Sequence, residues 1–123
     1  MTGCTKISQG CKHCYAERQA ERLQGMGVGK YRNGFKVTLH PAELEKPLAW
    51  RKPRRVFVNS MSDMFHPDVE RSFIKQVFNT MARADKHVFQ VLTKRPERAL
   101  RLCTPPALLI YPPKHPNLSL IHI

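Results

Sequence analysis

Cys4, Cys11 and Cys14 fall within the first fourteen residues at the spacing C-x6-C-x2-C, in a loop punctuated by Gly3, Ser8 and Gly10. Glycine and serine let a backbone reverse, so such a loop can turn three thiolates toward one point. A set of soft sulfur donors suits zinc or an iron–sulfur cluster. The plainer alternatives are buried thiols or a disulfide. A paired C-x2-C with a third cysteine nearby, however, is a metal pattern in an intracellular protein. His13 or His66 would complete a Cys3His zinc site, although a lone histidine is more often a surface or loop residue.

The elements that must position these residues alternate along the chain. A thin stripe of Ala16, Ala20 and Leu23 gives a first helix over about Tyr15 to Gln24, stopped by glycines at 25, 27 and 29. Phe35 to Leu39 alternates as a short strand, and His40-Pro41 opens a brief helix that Pro47 ends or kinks. Trp50 reads as a packing residue. Arg54 to Asn59 is a strand, and a polar loop leads from it to a helix over about Pro67 to Ala84. Val69, Phe73, Ile74, Val77, Phe78 and Met81 recur on one face of that helix. His87 to Leu92 is the next strand, and a last helix runs from about Glu97 to Leu102.

Strands and helices alternating through short links imply parallel βα units, an α/β fold. Ligands in such folds sit beyond the carboxyl ends of the strands. That rule turns Asn59 to His66 and Thr93 to Arg95 toward the site, on the side of the cysteine loop.

At 123 residues the chain is one domain at most, and 41% apolar content excludes wholesale disorder. No apolar run approaches the roughly 20 residues of a membrane span, and no charged-then-apolar leader opens the chain, so a cytoplasmic protein is expected. There, clustered thiols stay reduced and available to metal. The formal charge of +12 favours a polyanionic partner, nucleic acid or another anionic substrate, although spread charge also makes a merely soluble basic face. Arg51, Lys52, Arg54 and Arg55 form the one dense cluster, read equally as a phosphate contact or a solvated edge.

The end of the chain departs from the pattern. From Thr104 onward it carries five of the ten prolines and a single lysine, without amphipathic period. Its last six residues, LSLIHI, match the translation of CTG TCT CTT ATA CAC ATC, the transposon mosaic end used as a sequencing adapter. The expected organisation is therefore a domain over 1–103 and a non-native or disordered tail over 104–123, with Cys103 at the junction excluded as a ligand.

MTGCTKISQGCKHCYAE, NGFKVTLHP, PRRVFVNSMSDMFH and QVLTKRPER together resemble a phage- and prophage-associated family of unknown function whose hallmark is a three-cysteine motif, sometimes found beside a dedicated partner protein. The likeness spans residues 2 to 101. That family is in turn similar to radical S-adenosylmethionine (SAM) enzymes of the spore photoproduct lyase type, whose usual C-x3-C-x2-C spacing is here widened in its first gap. The resemblance implies a partial TIM-type barrel, without the strand before the cysteine loop and without the second half of the barrel, hence a piece inactive by itself. It implies a [4Fe–4S] cluster on Cys4, Cys11 and Cys14 with one iron left open to SAM, since such clusters ordinarily take four cysteines. Tyr15 would then pack beside the cluster or adenine, or simply start its helix. Asn59, Ser60, Ser62 and Asp63 would meet the amino end of SAM, with Asp63 alternatively capping the next helix. Thr93 would face the ribose or the substrate, and Lys94 and Arg95 would offer charge to an anionic substrate or remain solvated turn residues. Two other function classes stay open: a zinc-binding nucleic-acid module, and an interaction protein with a structural cluster.

Overall fold

The computed structural model describes residues 1–103 and the backbone of Leu118–His122. Its frame is a parallel sheet in which β1 (Arg55–Val58) pairs with β2 (Val88–Thr93), and β2 with β3 (Leu118–His122). Arg55 stands opposite Val88 and Val58 opposite Val91; on the other side Phe89 faces Leu118 and Thr93 faces His122. The β-branched and aromatic residues of RVFV and VFQVLT suit this pleated surface. The backbone of 118–122, assigned in the sequence to a tail beyond the pattern, lies in the sheet as its third strand. The rest of that tail, 104–117 and 123, lies outside the described residues.

Four helices accompany the strands: α1 (Tyr15–Gly25), α2 (Lys46–Ala49), α3 (Arg71–Arg83) and α4 (Pro96–Cys103). In α3 the helical period buries Phe73, Ile74, Phe78 and Met81. They join Ala99 and Leu102 of α4, Phe89 and Val91 of β2, and Met64, Phe65 and Val69 in one apolar core. Burial alternates along β2, so Phe89, Val91 and Thr93 enter the interior while Gln90 and Leu92 take the opposite face. Phe57 of β1 is 46% exposed. One face of the sheet is thus the core, and the other is partly open.

Three elements differ from the sequence pattern. Phe35 to Leu39 is not a strand, because its only strand-like partner is Thr2, through a single antiparallel bridge at Thr38. The Gly3 N–H goes to the Met61 carbonyl instead, and the one further bond, from the Cys4 N–H to the Phe35 carbonyl at 3.2 Å, does not extend the bridge into a ladder. Pro47 neither ends nor kinks a helix. It sits in the first turn of α2, where its missing N–H costs nothing, after a separate 3-10 turn at Pro41–Glu43. The helix expected from Pro67 starts only at Arg71, because the N–H groups of Asp68 and Val69 are taken by the ring and carbonyl of His66.

Gly3 ties the cysteine loop to the sheet. Its φ of +88° lies in the left-handed region, and a Cβ there would stand 2.1 Å from the Lys36 carbonyl oxygen. Only glycine fits that crossing.

Candidate functional site

The carboxyl ends of β1 and β2 open onto a cleft of about 340 Å³. The cysteine loop and the start of α1 bring Cys4, Cys11, Cys14, His13 and Tyr15 to its wall. Asn59, Ser60, Ser62 and Asp63 come from the turn after β1, and Thr93, Lys94 and Arg95 from the end of β2 and the turn beyond it. Phe57 and Leu92, on the open face of the sheet, add apolar lining. The three loop cysteines, His13, Tyr15, Asn59, Ser60, Ser62, Asp63 and Thr93 to Arg95 therefore border one cleft. Of the stretch the strand-end rule turned toward the site, Met64 and Phe65 enter the core instead, and His66 does not reach the cleft. It is buried, its Nε2 pairs with the Thr5 hydroxyl at 2.8 Å, and its Nδ1 accepts the Asp68 N–H at 3.1 Å. With both ring nitrogens occupied, His66 is a structural histidine, and burial lowers its pKa below the ordinary value.

Asp63 is the hub that holds the walls together. One carboxylate oxygen accepts from the Phe65 N–H at 3.0 Å and the Thr93 hydroxyl at 2.8 Å. The other accepts from the Lys94 N–H at 3.0 Å and from Arg95 Nη1 at 3.1 Å. These bonds occupy the positions a ligand's ammonium or hydroxyl would need, since a carboxylate offers about four lone-pair sites. Asp63 is not a helix cap either, because α3 begins after Glu70. It binds the β1 turn to the end of β2.

Arg95 extends this hub into the cysteine loop. Nη1 also reaches Cys4 Sγ at 3.4 Å, and Nη2 donates to the Thr5 carbonyl at 3.0 Å and its hydroxyl at 3.1 Å. Arg95 is 8% exposed, so it is no solvated turn residue and offers little surface to a substrate. Lys94 behaves differently. It is only partly buried, and its Nζ approaches Cys11 Sγ at 3.6 Å. Two consecutive residues thus each deliver a cation to a different cysteine.

The thiols respond to these surroundings. The pKa of Cys11 is lowered to about 7, chiefly by a backbone hydrogen bond from Ile7, with Ser8 and Lys94 adding to the effect and burial opposing it. Cys103 closes α4 against the core, away from the cleft, and burial raises its pKa. All four cysteines are free. Among the described residues no three His, Cys, Asp or Glu side chains stand close enough together to hold a metal ion. The donor set nonetheless fits an iron–sulfur cluster in kind: three free thiols on one wall, with the Lys94 ammonium beside Cys11 and the Arg95 guanidinium beside Cys4.

Asn59 adds a strained, unsatisfied group to the same wall. Its φ is +61°, rare for a residue other than glycine, and its Nδ2 is buried without a partner among the described residues. Ser62 donates to the Met1 carbonyl at 3.3 Å, and the Tyr15 hydroxyl donates to the Ser60 carbonyl, pinning α1 to the β1 turn.

A family model described as a protein of unknown function (DUF5131) matches residues 1–120. The chain belongs to that family. No curated protein and no solved structure matches it. The match covers the cysteine loop, both strand-end turns and the cleft they form.

Two contributors escape sequence reasoning. Thr5 receives both Arg95 and His66, and nothing in its position marks it. Arg98, one turn into α4, donates to the carbonyls of Phe65, His66 and Val69 and clamps the loop that carries Asp63. The run Lys94-Arg95-Pro96-Glu97-Arg98 was a signal of charge, but charge alone does not tell an internal clamp from a surface contact.

Proposed function

We propose that the cleft is a cluster and cofactor site, and that the family is one of radical SAM-like iron–sulfur proteins within the phage-associated three-cysteine group. One observation carries this reading: the three-cysteine loop and the turns after two parallel strands line a single cleft, cross-linked by Asp63 and Arg95. The partly open sheet face fits as well. Helices α3 and α4 belong to the core on one face, as the outer helices of a βα barrel do, while Phe57 and Leu92 line the cleft as interior residues of such a barrel would. A partial barrel of this type is the fold we propose.

In this reading Cys4, Cys11 and Cys14 are the ligands of a [4Fe–4S] cluster. Such a cluster, with SAM, supplies one-electron cleavage of the sulfonium. The chain's own residues provide the setting. Lys94 stabilises negative charge on Cys11, and Arg95 holds the Cys4 sulfur by a hydrogen bond. Gly3 and Asp63 fix the loop against the sheet. Asn59 Nδ2, the unpartnered donor, is free to meet an acceptor on a bound cofactor, and Ser60 and Ser62 stand beside it. Thr93 is turned inward onto Asp63 and serves the frame. Lys94 is the residue best placed to meet an anionic substrate or the partner protein of such systems.

Anaerobic purification, iron and sulfide analysis, and EPR with and without SAM test the reading. About four irons per chain are expected, with a reduced signal that SAM changes and that Cys11→Ala abolishes. Cluster content unchanged in Cys11→Ala would falsify the ligand assignment. A zinc-binding module is the second reading, kept by one observation: His13 lines the cleft with the three cysteines. Stoichiometric zinc without iron, lost in His13→Ala, would replace the first reading.

A further inference from the structure

The amino ends of β1 and β2 carry a second feature, unrelated to the cleft. Trp50 to Arg54 crosses this end without regular structure, and Arg51, Lys52, Arg54 and Arg55 are all exposed. Among the described residues none of the four makes an ion pair, whereas Lys6, Lys30, Lys46, Arg83 and Arg95 each have an acidic partner. Asp85 and Lys86 lie at the same end, ahead of β2, and cancel each other in charge.

The loop is held in shape from below. His87, fully buried, accepts the Arg54 N–H at Nδ1 (3.1 Å), so Nε2 carries the hydrogen, and it donates to the Pro47 carbonyl at 2.8 Å. The Arg54 carbonyl accepts from Val88 at 2.9 Å. Trp50 packs edge-on to His87, and the Arg54 guanidinium lies 5.1 Å from the Trp50 ring centre. A guanidinium set against an aromatic ring is a planar fork already oriented, and that fork matches phosphate in two-point contact.

We infer that this loop is a sequence-independent docking surface for the phosphate backbone of a nucleic-acid duplex. Four unpaired cations in five residues span about 13 Å along extended backbone, a stretch over which a duplex presents several phosphates. Arg54 covers the Trp50 ring, so the loop is built for phosphate contact and not for base stacking. No exposed large apolar residue lies within the loop, which argues against a membrane. The nearest cleft-lining residue of β1, Phe57, lies two residues beyond Arg55, about 7 Å along the strand, and occupancy of the surface does not depend on a cluster.

Fluorescence anisotropy of the full chain with random-sequence 20-base-pair DNA and RNA duplexes, over a salt series, tests this. Counterion release predicts that R51A/K52A/R54A/R55A makes the slope of log affinity against log salt shallower by up to about 3.6, or roughly 150-fold between 50 and 200 mM salt. A charge-matched control, R22A/K36A/K75A/R101A, removes exposed cations scattered over other elements. A slope shallower by at least about two in the loop variant, and a smaller change in the control, supports the inference. Lack of binding by the wild type, a loop effect below about two, or equal effects in loop variant and control overturns it. So does equal displacement of the duplex by polyglutamate, which would make the partner an acidic protein. If the quadruple variant does not fold, R51A/K52A reads the same slope, which must shift by at least about one. A DNA preference or an RNA preference identifies the duplex without changing the site.

Discussion

At the carboxyl ends of β1 and β2 the charged groups are buried and bonded to one another, whereas at the amino ends they are exposed and unpaired. Asp63 and Arg95 are 6% and 8% exposed and share a 3.1 Å ion pair. Arg51, Lys52, Arg54 and Arg55 stand in solvent on a loop braced by one buried histidine. The first arrangement ties together three chain segments: the cysteine loop, the β1 turn and the β2 end. The second keeps its cations free. Buried charge therefore serves position here, and exposed charge remains available for contact.

The largest effect that would sharpen this contrast is expected at Asp63. Removing it in Asp63→Ala leaves Arg95 buried without its counter-charge, a change that costs about 3–5 kcal/mol. Urea unfolding should show that loss, and Asp63→Ala/Arg95→Ala should recover part of it, because the second substitution removes the stranded cation. A loss below about 1 kcal/mol would mean that the pair behaves as a surface salt bridge and that the contrast fails.

His87→Ala comes next. It strands the Arg54 N–H and the Pro47 carbonyl and leaves space beside Trp50, at about 2–3 kcal/mol. The same variant should weaken duplex binding, since the brace of the basic loop is gone. A destabilised protein with unchanged duplex affinity would separate the loop's shape from its contact.

How much of this was legible in the sequence follows the same division. The period of α3 and the apolar alternation of β1 and β2 fixed those elements, because burial of one face is written directly in residue type. The strand-end rule brought the cysteine loop and both strand-end turns to one cleft, His66 excepted, for the same reason: βα order determines which turns share an end. Roles were less legible. Asp63 looked like a ligand or a cap and is a hub, and Arg95 looked solvated and is internal, because one residue's partner depends on segments thirty and ninety positions away. Phe35 to Leu39 had strand alternation but forms a single bridge, Thr38 to Thr2, and no ladder. Propensity proposes a strand, and a neighbour decides it.

A pH series probes the buried groups at the carboxyl ends through His66. Burial lowers the pKa of His66, so the unfolded chain takes up a proton more readily than the folded one. The stability from neutral His66 is full above its ordinary value of 6.5 and falls as the pH drops below it. His40, similarly lowered, acts in the same direction. Unfolding free energy should decline between pH 6.5 and about pH 5, and less steeply in His66→Asn. An unchanged slope in that variant would assign the decline to other groups.

The smallest effect is expected where the cations are free. In R51A/K52A/R54A/R55A the three substitutions at 51, 52 and 55 remove exposed side chains that make no ion pair among the described residues, and Arg54→Ala removes only a guanidinium lying over Trp50. Each exposed change falls within about 0.5 kcal/mol, and lower self-repulsion in a chain of net charge +12 offsets the lost contact. Thermal unfolding should therefore shift little or upward while the salt slope of duplex binding changes. If the four substitutions destabilised the fold as much as Asp63→Ala, the amino-end cations would be structural too, and the two ends of the sheet would follow one rule.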